Sequence, residues 1–187
     1  PVPGFDINVI DDQGKILPDG EVGHIAIRTD KKWPAGLFHG YLQNNLIVKD
    51  SFRHGWYYTG DTASRDKDGY LWFVGRSDDL ISSAGYRISP FEVESALLEH
   101  ELIAESAVVG VPDETRGQLV KAFVVLVEAH KGSEELVKEI QDFCKNLTAP
   151  YKYPRKIEFV STLPKTISGK IRRVELRENE KLIKDNN

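Results

Sequence analysis

The feature that most constrains this chain is a change of hydrophobic patterning between Gly75 and Ser83. Upstream, the apolar residues recur with the two-residue period of strands. Downstream, strand-like runs alternate with stretches of helical period. Phe5–Ile10 and Val22–Thr29 read as strands, with a turn at Asp11-Asp12-Gln13-Gly14, and Trp33–Asn45 reads as a loop. Thr62–Arg65 and Tyr70–Val74 flank Asp66-Lys67-Asp68-Gly69 and predict a hairpin. Beyond Ser83, Ser89-Pro90-Phe91-Glu92 has capping-box spacing with proline at the first helical position, and Val93, Ala96 and Leu97 supply one apolar face. Ala107–Val111 and Val120–Val127 read as strands, Ser133 caps a helix through Leu147, Lys156–Val160 is a further strand, and Val174–Ile183 is a charged terminal helix. The expectation is an α+β chain in two parts: a β-rich partial barrel over residues 1–77 and a small α+β domain over 78–187.

At 187 residues, with 40% apolar and 29% charged side chains, there is enough apolar material for a packed core. The net charge of −4 argues against a general nucleic-acid binder, and no apolar run approaches the roughly 18–20 residues of a membrane span. The single Cys144 cannot form an internal disulfide, so a reducing, cytoplasmic setting is expected. The opening Pro-Val-Pro-Gly and the lack of any methionine read as a piece of a longer protein. The five histidines are scattered, so no metal set is expected, and no G-x-S-x-G signature is present.

Four segments offer chemistry, each with a plainer reading beside it. Tyr57-Tyr58-Thr59-Gly60-Asp61 reads as a turn whose carboxylate can accept hydrogen bonds from a pair of sugar hydroxyls, or merely cap backbone amides. Gly75-Arg76-Ser77-Asp78-Asp79 and Ser82-Ser83-Ala84-Gly85-Tyr86-Arg87 carry two forked donors suited to phosphate or ribose oxygens, and arginines of this kind also serve as surface ion pairs. Pro164-Lys165-Thr166-Ile167-Ser168-Gly169-Lys170 is P-loop-like at first sight. A P-loop needs glycine where Pro164 stands and Ser or Thr where Ile171 stands, so that reading fails and an exposed basic loop remains. Tyr151-Lys152-Tyr153-Pro154-Arg155-Lys156 interleaves cations with aromatics, as an adenine and its phosphates would require, or as a solvated turn would allow.

Order and spacing add what each segment lacks. Tyr58-Thr59-Gly60-Asp61, Gly75-Arg76-Ser77-Asp78-Asp79, Gly85-Tyr86-Arg87-Ile88, and Pro164-Lys165-Thr166 with Ser168-Gly169-Lys170 together resemble the adenylate-forming superfamily of acyl-CoA synthetases, luciferases and peptide-synthetase adenylation domains. Trp33–Phe38 and Thr148–Lys156 look most like medium-chain acyl-CoA synthetases. The resemblance implies that Asp61 holds the ATP ribose hydroxyls with Arg76 as its partner on the same nucleotide, that Arg87 contacts nucleotide phosphate, and that Asp78 is a hinge. Ala84, Gly85 and Tyr86 would line the pantetheine channel, and Arg116, Tyr153, Pro154 and Arg155 would contact the CoA nucleotide. Lys170 would be the catalytic lysine of adenylation.

The implied reaction joins a carboxylic acid to CoA with ATP, through an acyl-adenylate, with Mg2+ accompanying the ATP phosphates. The implied partners are the acid, ATP, CoA and an N-terminal domain of the same chain. That domain would hold the phosphate loop and acyl pocket, so residues 1–187 alone are expected to be inactive. The alternatives are an adenylation enzyme that loads a carrier protein and a non-catalytic CoA- or nucleotide-binding module.

Overall fold

The computed structural model describes residues 2–43, 46–127 and 130–185. Its backbone packs as two units, Pro1–Asp78 and Asp79–Asn187. In the first unit the described residues form strands β1 (Ile7–Ile10), β2 (Val22–Arg28), β3 (Tyr41–Gln43), β4 (Leu46–Val48), β5 (Phe52–Arg53), β6 (Trp56–Arg65) and β7 (Leu71–Arg76). Five of them make one antiparallel sheet in the order β1-β2-β6-β5, with β7 also on β6. Bulges between His24 and Ala26 and between Thr62 and Ala63 bend the paired strands, and bulged strands twist more strongly. The sheet therefore curls into half a barrel around Ile10, Ala26, Trp56 and Tyr58.

Two local expectations change here. The stretch read as a loop contains β3, which pairs with β4, while Asn44 and Asn45 lie outside the described residues. The segment Tyr57–Asp61 is no isolated turn, because β6 begins at Trp56 and runs through it. Ladder pairing with β2 and β5 absorbs a glycine that local chemistry reads as a turn signal.

The second unit holds β8 (Ile81–Ser83), β9 (Tyr86–Ile88), α1 (Pro90–Leu98), β10 (Ile103–Asp113), β11 (Gly117–Leu126), α2 (Glu134–Leu147), β12 (Lys156–Phe159) and α3 (Arg173–Asp185). Its sheet runs β10-β11-β8-β9, with β12 parallel to β11. Alternate residues of the central strands serve different cores. Val108, Val120, Ala122 and Val124 meet α1 and α2 residues such as Val93, Leu97, Ile140 and Cys144. Ala107, Val109, Leu119 and Phe123 meet Leu163 and, from α3, Leu176. Both faces are covered, which is why these strands read as unbroken apolar runs. Burying one side chain such as Ile140, which is fully enclosed, stabilises the unit by roughly 1.5–3 kcal/mol.

Ser133 caps α2 as its spacing predicts: its Oγ accepts the Leu136 amide at 3.2 Å. The expected box at α1 does not form. Ser89 is the N-cap by backbone, yet its side chain makes no capping bond, and the Glu92 carboxylate pairs with Lys152 instead of returning to the helix start.

Candidate functional site

In the first unit, Asp61 on β6 and Arg76 on β7 face each other in register. Arg76 Nη1 lies 3.3 Å from Asp61 Oδ1, and Nε lies 3.3 Å from Asp78 Oδ1. The same guanidinium reaches the Thr59 carbonyl at 3.4 Å. It covers Gly60, where an added Cβ would meet Arg76 Nη2 at 2.7 Å and where φ is +84°. The left-handed backbone favours glycine there, and a side chain would push the guanidinium away. Surrounding bonds fix the segment. Thr59 Oγ1 donates to the Ile25 carbonyl and accepts the Asp61 amide, while the Ser77 amide and hydroxyl both donate to the Gly60 carbonyl. Burial pulls the Arg76 pKa down, but Asp78 and Asp61 more than offset it and the net direction is up. Beside this pair, burial and the Tyr41 hydroxyl push Tyr57 up to about 12. The result is a half-exposed carboxylate held by a shared guanidinium, a geometry able to accept bonds from vicinal hydroxyls.

In the second unit, β8 and β9 form a hairpin whose two-residue loop is Ala84-Gly85. Both residues have positive φ, +49° and +83°, as a type I′ turn requires. The loop is tied inward by its own backbone: the Ala84 amide donates to the Arg116 carbonyl at 3.0 Å, and the Ser82 amide donates to Gln118 Oε1 at 2.8 Å. Outward it is open, since a Cβ at Gly85 would meet nothing within 4 Å. Arg116 stands in a turn organised by Asp113, whose Oδ1 accepts the amides of Thr115 and Arg116. The Arg116 amide is the main reason the Asp113 carboxyl sits below its usual range.

Tyr86 stacks on Tyr151, with centroids 4.1 Å apart and 15° between planes. The hairpin is thereby joined to the segment that carries Tyr153, Pro154 and Arg155. Arg155 lies over the Tyr153 ring and donates to its hydroxyl at 2.8 Å, and Lys145 sits 4.5 Å from the same ring. Pro154 is buried, and its carbonyl accepts from Gln141. Ala84, Gly85, Tyr86, Arg116, Tyr153 and Arg155 thus fall in one neighbourhood, with Arg87 exposed on β9 opposite Ser82.

Lys170 occupies a separate loop. Residues 164–171 form a tight hairpin closed by a Lys165–Ile171 bridge. The Thr166 amide donates to the Lys170 carbonyl, the Lys170 amide to Thr166 Oγ1, and the Arg172 amide to the Pro164 carbonyl. Lys170 is exposed, and among the described residues it makes no ion pair. No three His, Cys, Asp or Glu side chains among the described residues converge on a point able to hold a metal ion.

Residues 92–170 match the AMP-binding enzyme C-terminal domain. The chain resembles the C-terminal part of adenylate-forming enzymes. It is 54% identical over 182 residues to the mitochondrial acyl-coenzyme A synthetase ACSM3 of Mus musculus, covering 96% of this chain and 31% of that protein. It is 56% identical over 181 residues to 4-hydroxybutyrate–CoA ligase 1 of Metallosphaera sedula, covering 96% of this chain and 32% of the relative. Among solved structures it resembles the anthranilate CoA ligase AuaEII in complex with anthranoyl-AMP, with a TM-score of 0.81 and 41% identity over 99% of this chain and 35% of that one. The chain therefore spans about a third of the length of these adenylate-forming relatives and matches their C-terminal part.

Sequence reading missed four residues that the fold ties together: Asp79, Glu94, Arg173 and Arg177. Asp79 stands in the Gly75–Asp79 motif and Arg173 closely follows Lys170, but no local signal joins positions 94 residues apart.

Proposed function

We propose that this chain supplies the C-terminal machinery of an AMP-forming acyl-CoA synthetase. The observation that carries the reading is Lys170: an exposed ammonium that makes no ion pair among the described residues, on a loop closed by its own hydrogen bonds. A cation so presented suits a step that brings negative charges together. In the first half-reaction the substrate carboxylate attacks the α-phosphorus of ATP and pyrophosphate departs; Lys170 offsets charge that spreads over the phosphoryl oxygens. Asp61 and Arg76 hold the ribose, and Arg87 meets nucleotide phosphate. Magnesium, carried by the ATP phosphates, would supply further charge neutralisation.

In the second half-reaction the CoA thiol attacks the acyl carbonyl and AMP leaves. The open face of the Ala84-Gly85 turn suits the narrow pantetheine arm. The aromatic and cationic side chains of Tyr86, Tyr153, Arg155 and Arg116 suit the CoA nucleotide. Asp78, the last residue of the first unit, is the hinge about which the second unit would turn between the two steps.

Lys170→Ala in the intact enzyme tests the reading. Acid-dependent ATP–pyrophosphate exchange should fall by about a hundredfold or more, while transfer from a preformed acyl-adenylate to CoA persists. Equal loss of both would refute it, and accumulation of acyl-adenylate without acyl-CoA in the unmodified enzyme would favour carrier-protein loading. We also place the enzyme in the cytosol on the strength of its one buried thiol. Recovery in a mitochondrial fraction, the compartment named for the mouse relative, would overturn that placement.

A further inference from the structure

Asp78 and Asp79 are neighbours with opposite surroundings. The Asp78 side chain is 59% exposed, that of Asp79 only 14%. Arg177 Nη1 donates to Asp79 Oδ1 at 2.6 Å, and Arg173 Nη1 to Oδ2 at 3.4 Å. The same Arg173 donates from Nε and Nη2 to Glu94 of α1, at 3.0 and 2.6 Å. Glu94 is 5% exposed, and its Oε1 also accepts the Val108 amide of β10 at 2.8 Å. Two carboxylates and two guanidiniums thus balance in an enclosed cluster that joins the first residue of the second unit to α1, β10 and α3. Forked guanidinium–carboxylate bonds fix orientation as well as distance.

The position of Arg173 gives the cluster its meaning. It is the first residue of α3 and lies three positions past Lys170, directly after the Arg172 amide that closes the lysine hairpin. The other stem of that hairpin follows Leu163, which is buried in the second core, and its own charged side chain, Lys165, makes an exposed pair with Glu105 of the kind that contributes little. Leu163 and Ile171 seat the loop on the core, Arg173 is the enclosed charged side chain beside it, and Asp79 is one of the two carboxylates that orient that arginine.

We infer that Asp79, acting through Arg173 and Arg177, is a positioning residue for Lys170, which sets the lysine loop relative to the point where the chain enters the second unit. The inference rests on the role proposed for Lys170. An ammonium displaced by an ångström loses much of its effect on a developing charge, whereas a thiol-transfer step that does not use Lys170 is indifferent to the loop.

The test uses the intact enzyme. Asp79→Asn keeps the side-chain shape and leaves the Arg173–Glu94 pair in place. It should lower the kcat of acid-dependent ATP–pyrophosphate exchange by about tenfold to a hundredfold, with the KM values unchanged. CoA-dependent transfer from a prepared acyl-adenylate should stay within twofold, and Asp79→Glu should recover part of the exchange rate. Equal loss of both half-reactions, or no loss in either, would overturn the inference. If Asp79→Asn fails to fold, Arg177→Lys, which keeps the cation but not the fork, is read by the same criteria. Lys170→Ala run in parallel separates the two ideas. Undiminished exchange in that variant defeats the proposed function, while a selective loss there with an unselective Asp79→Asn defeats only the positioning role.

Discussion

Ala84 is one of two described non-glycine residues with positive φ, and it neighbours a glycine with the same sign of φ. Exchanging the demands of these two positions gives a sharp prediction. An L-residue in the left-handed region costs about 1–2 kcal/mol relative to the right-handed one, and glycine is exempt. Ala84→Gly removes that cost but raises the backbone entropy of the unfolded chain by roughly 0.5–1 kcal/mol, so the net gain is about 0.5–1 kcal/mol. Gly85→Ala does the reverse. Because nothing lies within 4 Å of the new Cβ, no clash adds to the strain, and the net loss is about 0.5–1 kcal/mol. For a unit of this size the expected shifts in melting temperature are about 2–6 °C, upward for Ala84→Gly and downward for Gly85→Ala. The readout can be confined to the correct unit. All the described helices lie in Asp79–Asn187, so the helical band in circular dichroism reports that unit. The three tryptophans, Trp33, Trp56 and Trp72, lie in Pro1–Asp78 and their fluorescence serves as the control. Shifts of the same sign for both substitutions, or a neutral Gly85→Ala, would refute the assignment of a type I′ turn.

Tyr57 should titrate at about 12 by ultraviolet difference spectroscopy, with a Tyr57→Phe spectrum as the reference. Its folded pKa is raised, so the stability it contributes is intact below pH 10 and is lost as pH rises through the interval from 10 to about 12; tryptophan fluorescence melts should show this loss in the parent and less of it in Tyr57→Phe. Lys121 is nearly enclosed and bonded to Glu158 and Glu180 at 2.7 and 2.6 Å. Lys121→Met should destabilise the second unit by about 2 kcal/mol, a value reduced because Glu158 is half-exposed, and adding Glu180→Gln should recover part of it in urea titrations. Residues 1–187 supplied alone with acid, ATP and CoA should release no pyrophosphate in a coupled assay, since relatives are about three times longer; turnover by this chain would contradict the proposed division of labour.

Legibility followed the range of the interactions. The hairpin around Asp66–Gly69 and the Ser133 cap were visible because their bonds run between near neighbours. The two-faced sheet of the second unit showed only as continuous apolar runs, which fit a buried strand without saying what covers each face. Tyr57–Asp61 reads as a turn because Gly60 is a turn signal, whereas its strand state is imposed by Val22–Arg28, far away in sequence. The Ser89 box failed because Lys152 competes for Glu92 across 60 positions. The motif residues of the candidate site were located by order and spacing. The cluster of Asp79, Glu94, Arg173 and Arg177 left no local trace, since three of its members look like ordinary charged helix residues until the fold encloses them.

The hairpin that carries Lys170 has a consequence for the entropy of binding. Ordering a flexible loop removes roughly 1–2 kcal/mol of backbone freedom per residue, and a loop that orders only when its ligand arrives subtracts that sum from its affinity. Here the bonds among Thr166, Ser168, Gly169 and Lys170 incur the cost during folding. Only the rotamers of the lysine side chain, about 1.5–2 kcal/mol, are left to freeze when an anion approaches. Amides in this exposed loop should accordingly exchange with solvent more slowly than their exposure alone would suggest.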